Sequence, residues 1–127
     1  MLTPGDAVPH FHVTSVDQRE ISYATIWQHR SLVLVALGDS ESEAGRAYAE
    51  AVMALAPRFA GHDAECIVTR DAVDGVAAPA VLVADRWGEI VHLATAASVD
   101  GLPPPGDLLD WTHYLQLRCP ECEGEAR

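Results

Sequence analysis

Three cysteines, six histidines and nineteen carboxylates are the side chains with which this 127-residue chain could do chemistry. Two of the cysteines form one cluster, Cys119-Pro120-Glu121-Cys122. A C-P-x-C turn presents two thiolates to one metal ion, as in half of a structural zinc site, or it closes a disulfide. Zinc wants four ligands, so the rest of a site would come from His113, from another histidine, or from the same tail of a second copy. A nucleophilic role suits the pair less well. The pattern sets it after a helix, where the dipole is negative, and Glu121, Glu123 and Glu125 add like charge. A thiolate there needs a metal or Arg118 to compensate.

The remaining candidates are weaker. Cys66 lies in an apolar run and reads as a small buried hydrophobe. His10 and His12 share a strand face by the period of two, which offers two imidazoles to a metal but fits a solvated edge as well. Asp39, Glu41 and Glu43 suit a helix start electrostatically, and their spacing matches no calcium loop. Trp27, Trp87, Trp111 and His92 fill core or contact surfaces.

These residues hang on an alternation of strands and helices. Residues 8–13 predict an extended segment, 16–19 a turn and 20–22 a return strand, so that a hairpin opens the domain. Residues 23–27 predict a short helix. Leu32-Val33-Leu34-Val35-Ala36-Leu37 is an unbroken apolar run, the mark of a strand covered on both faces. Gly38-Asp39-Ser40 turns into a long amphipathic helix with Tyr48, Ala51, Val52, Leu55 and Phe59 on one face, a capping box at Ser40-x-x-Glu43, and Pro57 kinking its end. Buried strands follow at residues 64–69 and 80–84, and Asp85-Arg86-Trp87-Gly88 makes a hairpin turn into 89–93. Pro103-Pro104-Pro105 stiffens a connection, and residues 107–118 predict a last helix carrying Leu108, Trp111, Thr112 and Leu115 inward.

Composition narrows the field. With 49% hydrophobic residues the chain can bury a core, which argues against wholesale disorder. Eight basic residues, all arginine, against nineteen acidic ones leave a net charge of −11, which disfavours nucleic acid and anionic membranes as partners. No run approaches the roughly 20 apolar residues of a membrane helix, and residues 1–12 lack a signal-peptide pattern, so the expected location is cytoplasmic. The expected organisation is one α/β domain over residues 1–118 and an acidic tail over 119–127.

Two stretches carry a family resemblance. Leu2-x-Pro4-Gly5-Asp6-x-x-Pro9-x-Phe11, followed by Ile21-Ser22 and Leu32-Val33-Leu34-Val35, resembles the entry segment of the alkyl hydroperoxide reductase and thiol-specific antioxidant family, the redoxins or peroxiredoxin-like proteins. Ala78-Pro79-Ala80-Val81-Leu82-Val83-Ala84-Asp85-x-x-Gly88-x-Ile90 is similar to that family's second signature. The resemblance spans residues 2–118. It implies a thioredoxin-like fold, a central mixed sheet with flanking helices and an N-terminal hairpin extension, and a cis peptide at Ala78-Pro79.

It also shows what is missing. Thiol catalysis in this fold sets a cysteine at the N-terminus of the helix after the first core strand, where free amides and the dipole favour the thiolate. Gly38-Asp39-Ser40-Glu41-Ser42-Glu43-Ala44-Gly45 holds none, and Ser42 and Gly45 fall on the family's C-x-x-C positions. Ser42 has no neighbouring histidine to make it a hydrolytic nucleophile. The connection before Pro79 is too short for the family's usual helix, which suggests a sheet face covered by self-association. The expected protein is therefore non-peroxidatic, a binding or assembly module with a protein partner or a second copy, in a homodimer, and with Cys119 and Cys122 as a zinc or disulfide clip. The rival is a thiol-disulfide oxidoreductase or antioxidant enzyme that uses those two cysteines.

Overall fold

The structure is a computed structural model, and it describes residues 2–38 and 42–117. The elements in chain order are strands β1 (His12–Thr14) and β2 (Glu20–Ser22), a 3-10 turn at Tyr23–Thr25, strand β3 (Ser31–Ala36), helices α1 (Glu43–Ala54) and α2 (Ala56–Gly61), strands β4 (Ala64–Thr69), β5 (Ala80–Ala84) and β6 (Ile90–Thr95), a 3-10 turn at Val99–Gly101, and helix α3 (Pro105–Leu117). β1 and β2 form the opening hairpin. The other four strands make one mixed sheet in the order β4-β3-β5-β6, with β3 parallel to β4 and antiparallel to β5. No helix among the described residues is long and apolar enough to cross a membrane.

The continuous apolar runs are strands buried on both faces, β3 and β5 inside the sheet and β4 at its edge. On one face Val33, Val35, Cys66, Val68, Val81 and Val83 meet Val52 of α1, Phe59 of α2, and Leu108 and Leu115 of α3. On the other Leu32, Leu34, Ile67 and Leu82 meet Phe11, Val13, Ile21, Tyr23 and Ile26 from the N-terminal segment. That second face is covered within the chain by the hairpin and by Val73. The hairpin is tied down by polar bonds at the end of β4. Thr69 Oγ1 donates to the Thr14 carbonyl at 2.7 Å, and the Thr14 amide donates to Asp71 Oδ2 at 2.7 Å.

The two stretches that carry the resemblance are bonded to each other. Gly5 N donates to Ile90 O at 2.8 Å, Val8 N to Gly88 O at 2.8 Å, and Ile90 N to Asp6 O at 2.9 Å. The turn between β5 and β6 is closed by the buried Asp85, whose Oδ1 accepts from the amides of Trp87 and Glu89 at 2.9 and 3.0 Å. Gly88 is needed there: its φ is +86°, and a Cβ would stand 3.2 Å from the Tyr23 hydroxyl.

Several helix expectations shift in detail. The single long helix is two, because Pro57 has no amide and its ring would meet the carbonyl one turn earlier; it sits instead in the first turn of α2, where no amide is required. Ser42 caps α1, in place of the expected box at Ser40 and Glu43, by accepting from Gly45 N at 3.0 Å. Ala51 is exposed, and Gly45, Ala49 and Val52 form the buried stripe. α3 starts at Pro105, earlier than expected, since a proline is favoured where the first helical amide has no partner.

Candidate functional site

Ser42 and Pro79, far apart in the sequence, border one cavity of about 290 Å³. Leu37 enters it from the end of β3, Ser42 and Ala44 from the start of α1, and residues 97–100 from the approach to α3. The peptide bond Ala78-Pro79 is cis, as the resemblance implies. Gly38 makes the close approach possible: with φ +77° it lies against Ala78, and a Cβ would stand 3.2 Å from that of Ala78. Ala96 N donates to Pro79 O at 3.2 Å, which joins the proline to the end of β6. Tyr48 of α1 donates its hydroxyl to Pro103 O at 2.7 Å, which ties α1 to the connection before α3. Burial, with a smaller contribution from Asp107, pushes the Tyr48 phenol up to about 12, so it stays a neutral donor.

Among the described residues, the polar side chains lining this cavity are Ser42, Ser98 and Asp100. Ser42 caps α1 by accepting from Gly45 N at 3.0 Å. Gly45 is buried in α1 and offers only backbone. Cys66, the one described cysteine, is on β4 opposite Val33. Val33 is four residues short of Leu37, or about 13 Å along the strand. Burial, reinforced by Glu65, pushes the Cys66 thiol up to about 12. It is a core hydrophobe, as expected, and inert at neutral pH.

A second polar corner lies where α2 ends against α3. His62 Nδ1 is 3.0 Å from Thr112 Oγ1, and Thr112 Oγ1 donates to Leu109 O at 2.8 Å. Next to them stands His113, with its ring centre 5.2 Å from that of His62. His113 is exposed, on the outer side of α3. Sequence reasoning named His113 and "another histidine" without identifying His62; the only signal for the partner was the Gly61-His62-Asp63 punctuation after a helix. Cys119 and Cys122 lie outside the described residues. Among the described residues no three His, Cys, Asp or Glu side chains come together as a metal site.

The other histidines serve packing. His10 meets the Trp27 ring edge-on at 5.1 Å and Tyr23 at 5.5 Å, and it borders with His12 a cavity of about 210 Å³. His92 stacks on Trp111 at 5.0 Å, and burial lowers its pKa, which keeps the ring neutral. A shallower cavity of about 390 Å³ opens along α3 between Asp110, Trp111 and Tyr114.

Solved structures with this architecture are thiol proteins. A yeast mitochondrial 1-Cys peroxiredoxin is 15% identical with a TM-score of 0.73, covering 98% of this chain and 80% of its own. AhpC of Mycobacterium tuberculosis is 14% identical with a TM-score of 0.70, over 96% of this chain and 98% of its own. A thiol:disulfide interchange protein of the thioredoxin family from Chlorobium tepidum is 13% identical with a TM-score of 0.62, over 93% and 99%. No protein-family model matches the chain, and neither does any curated protein sequence. The chain thus has a thioredoxin-like fold of the kind seen in peroxiredoxins, with the cavity described above at the Ser42 and Pro79 corner.

Proposed function

We propose that this protein is a non-peroxidatic redoxin-like binding or assembly module, with Cys119 and Cys122 as a clip. The observation that carries the reading is the Ser42–Pro79 cavity, whose described lining offers serines and a carboxylate where thiol chemistry would need sulfur. A helix N-terminus lowers the pKa of a thiol placed on it, and it does nothing comparable for a serine already engaged as a cap. Binding remains available to such a pocket. Its ligand is a segment of a protein, from a partner or from a second copy of the chain, laid against Pro79 and reached by the hydroxyls of Ser42 and Ser98.

Turnover tests the reading directly. The full chain, and its Cys119→Ser and Cys122→Ser variants, are assayed for peroxide consumption and for reduction of insulin disulfides with a thiol reductant. The expected result is background rate in all three. Turnover by the wild type that disappears in either variant overturns the proposal and establishes a thiol-disulfide oxidoreductase instead.

A further inference from the structure

We infer that Asp110, Trp111 and Tyr114 form an aromatic site on α3 that binds the trimethylammonium group of a small organic cation. The site shares no lining residue with the Ser42–Pro79 cavity and stands independently of the function proposed for that cavity.

The helix brings the three side chains together. Trp111 and Tyr114 are three residues apart, and Asp110 and Tyr114 four, the two spacings that make neighbours on one helix face. The ring centres of Trp111 and Tyr114 lie 5.9 Å apart with their planes at 90°. Two perpendicular rings make a corner, and with Asp110 they border a cavity of about 390 Å³. That volume falls in the range of small-molecule sites. Tyr114 is 52% exposed, so its ring is reached from solvent.

The Trp111 side of the corner is held in place. Its indole stacks on the ring of His92 from β6, with centres 5.0 Å apart and planes inclined at 17°, and it packs against the core under the helix. Burial lowers the pKa of His92, so at neutral pH the ring behind Trp111 brings no positive charge to the site.

Electrostatics selects a cation. The face of an aromatic ring is the negative pole of its quadrupole, strongest for Trp, and attracts a cation held within about 6 Å of the ring centre. Asp110 adds a carboxylate at the rim, and Asp107, one turn earlier on the helix, a second. The last described turn of α3 has no basic side chain, and the carbonyls at a helix C-terminus add negative potential. Hydration then chooses among cations. A primary ammonium needs acceptors to replace its water, and this lining offers one carboxylate and otherwise ring surface. A trimethylammonium group has no hydrogen to donate and spreads its charge over methyl groups that pack on rings. Among the described residues the lining comes from one face of one helix and includes no strand edge to hold a peptide backbone. The group therefore arrives on a free small molecule rather than on a methylated lysine of a protein.

Choline is the probe, titrated into the isotope-labelled full chain. The indole N–H signal of Trp111, assigned by its loss in Trp111→Phe, should shift saturably in the millimolar range, while those of Trp27 and Trp87 stay in place. The neutral carbon isostere of choline, with a tert-butyl group in place of trimethylammonium, should bind at least about 10-fold more weakly. Tyr114→Leu keeps apolar surface but removes the ring, and should weaken choline binding by about 5- to 30-fold; Tyr114→Phe should restore it to within about 2-fold of wild type. Thermal melts establish that each variant is folded. A Trp111 signal that does not shift saturably overturns the inference. So does equal binding of the neutral isostere, which would make the corner a plain apolar surface, or unchanged choline affinity in folded Tyr114→Leu. A trimethyllysine peptide that binds more than about 10-fold more tightly than choline overturns the assignment to a free small molecule.

Discussion

At the Ser42–Pro79 corner α1 points its N-terminus into a cavity, and at the His62–His113 corner α3 arrives with its C-terminal turn. The first end offers free amides and a positive dipole, conditions that ionise a thiol; the second offers free carbonyls and a negative one. This chain puts serine at the first and follows the second with two cysteines. Sulfur at the first end would be a nucleophile. Sulfur after the second would need a compensating cation. Which end of a helix a cysteine occupies therefore decides its chemistry more than the fold does.

The sharpest way to break that contrast is to move the sulfur. In a Cys119→Ser/Cys122→Ser background, Ser42→Cys should give a thiol that titrates below the ordinary value of about 8.5. Cys66 serves as the internal control, pushed up to about 12. The difference amounts to about 10³-fold or more thiolate at neutral pH, read as the rate of alkylation by iodoacetamide. A new thiol titrating at or above its ordinary value would mean that the acidic residues 39, 41 and 43 outweigh the helix amides, and the contrast between the two ends would fail.

Next in size is the packing under the second corner. Phe59 is fully buried between α2 and the sheet, three residues before His62. Phe59→Ala should cost about 3–5 kcal/mol, measured by urea unfolding. The Ser42–Pro79 cavity, walled by other residues, should keep its ligand.

The contrast itself was partly legible from sequence alone. Continuous apolar runs at β3, β4 and β5 identified strands covered on both faces, because such burial removes the need for alternation. The missing cysteine was visible as soon as Ser42 and Gly45 fell on the C-x-x-C positions. Two things were not. The face left by the short connection before Pro79 is covered by Phe11, Val13, Ile21 and Tyr23, a long-range packing that no local period encodes. His62 escaped notice for a similar reason: its partner is 50 residues away, and only the packing of α2 on α3 joins them. Segment patterns report which face is apolar, not which distant face it meets.

The third sulfur sharpens the contrast by belonging to neither corner. With its thiol raised from 9.0 to about 12 by burial, Cys66 favours folding only while neutral. The folded pKa lies above the unfolded one, so this stability is complete below pH 9 and is lost as pH rises toward 12. Between those limits the loss runs at about 1.4 kcal/mol per pH unit. Tyr23 and Tyr48, each raised to about 12, add losses of the same sign above pH 10. Cys66→Ala should flatten the alkaline fall in unfolding free energy by the cysteine's share. An undiminished slope would show that Cys66 is not the buried, neutral thiol described here.

The smallest expected effect tests whether the two corners are independent. Ser42→Ala removes the oxygen that accepts from Gly45 N at 3.0 Å and should cost about 1 kcal/mol, within the usual 0.5–2 for an N-cap. Nothing else should change, because the capped helix end and the α2–α3 corner share no residue. The alkaline slope set by Cys66, Tyr23 and Tyr48 should match wild type within error. A Ser42→Ala chain whose alkaline slope changed would couple the capped helix end to the buried core, and the independence of the two regions would have to be given up.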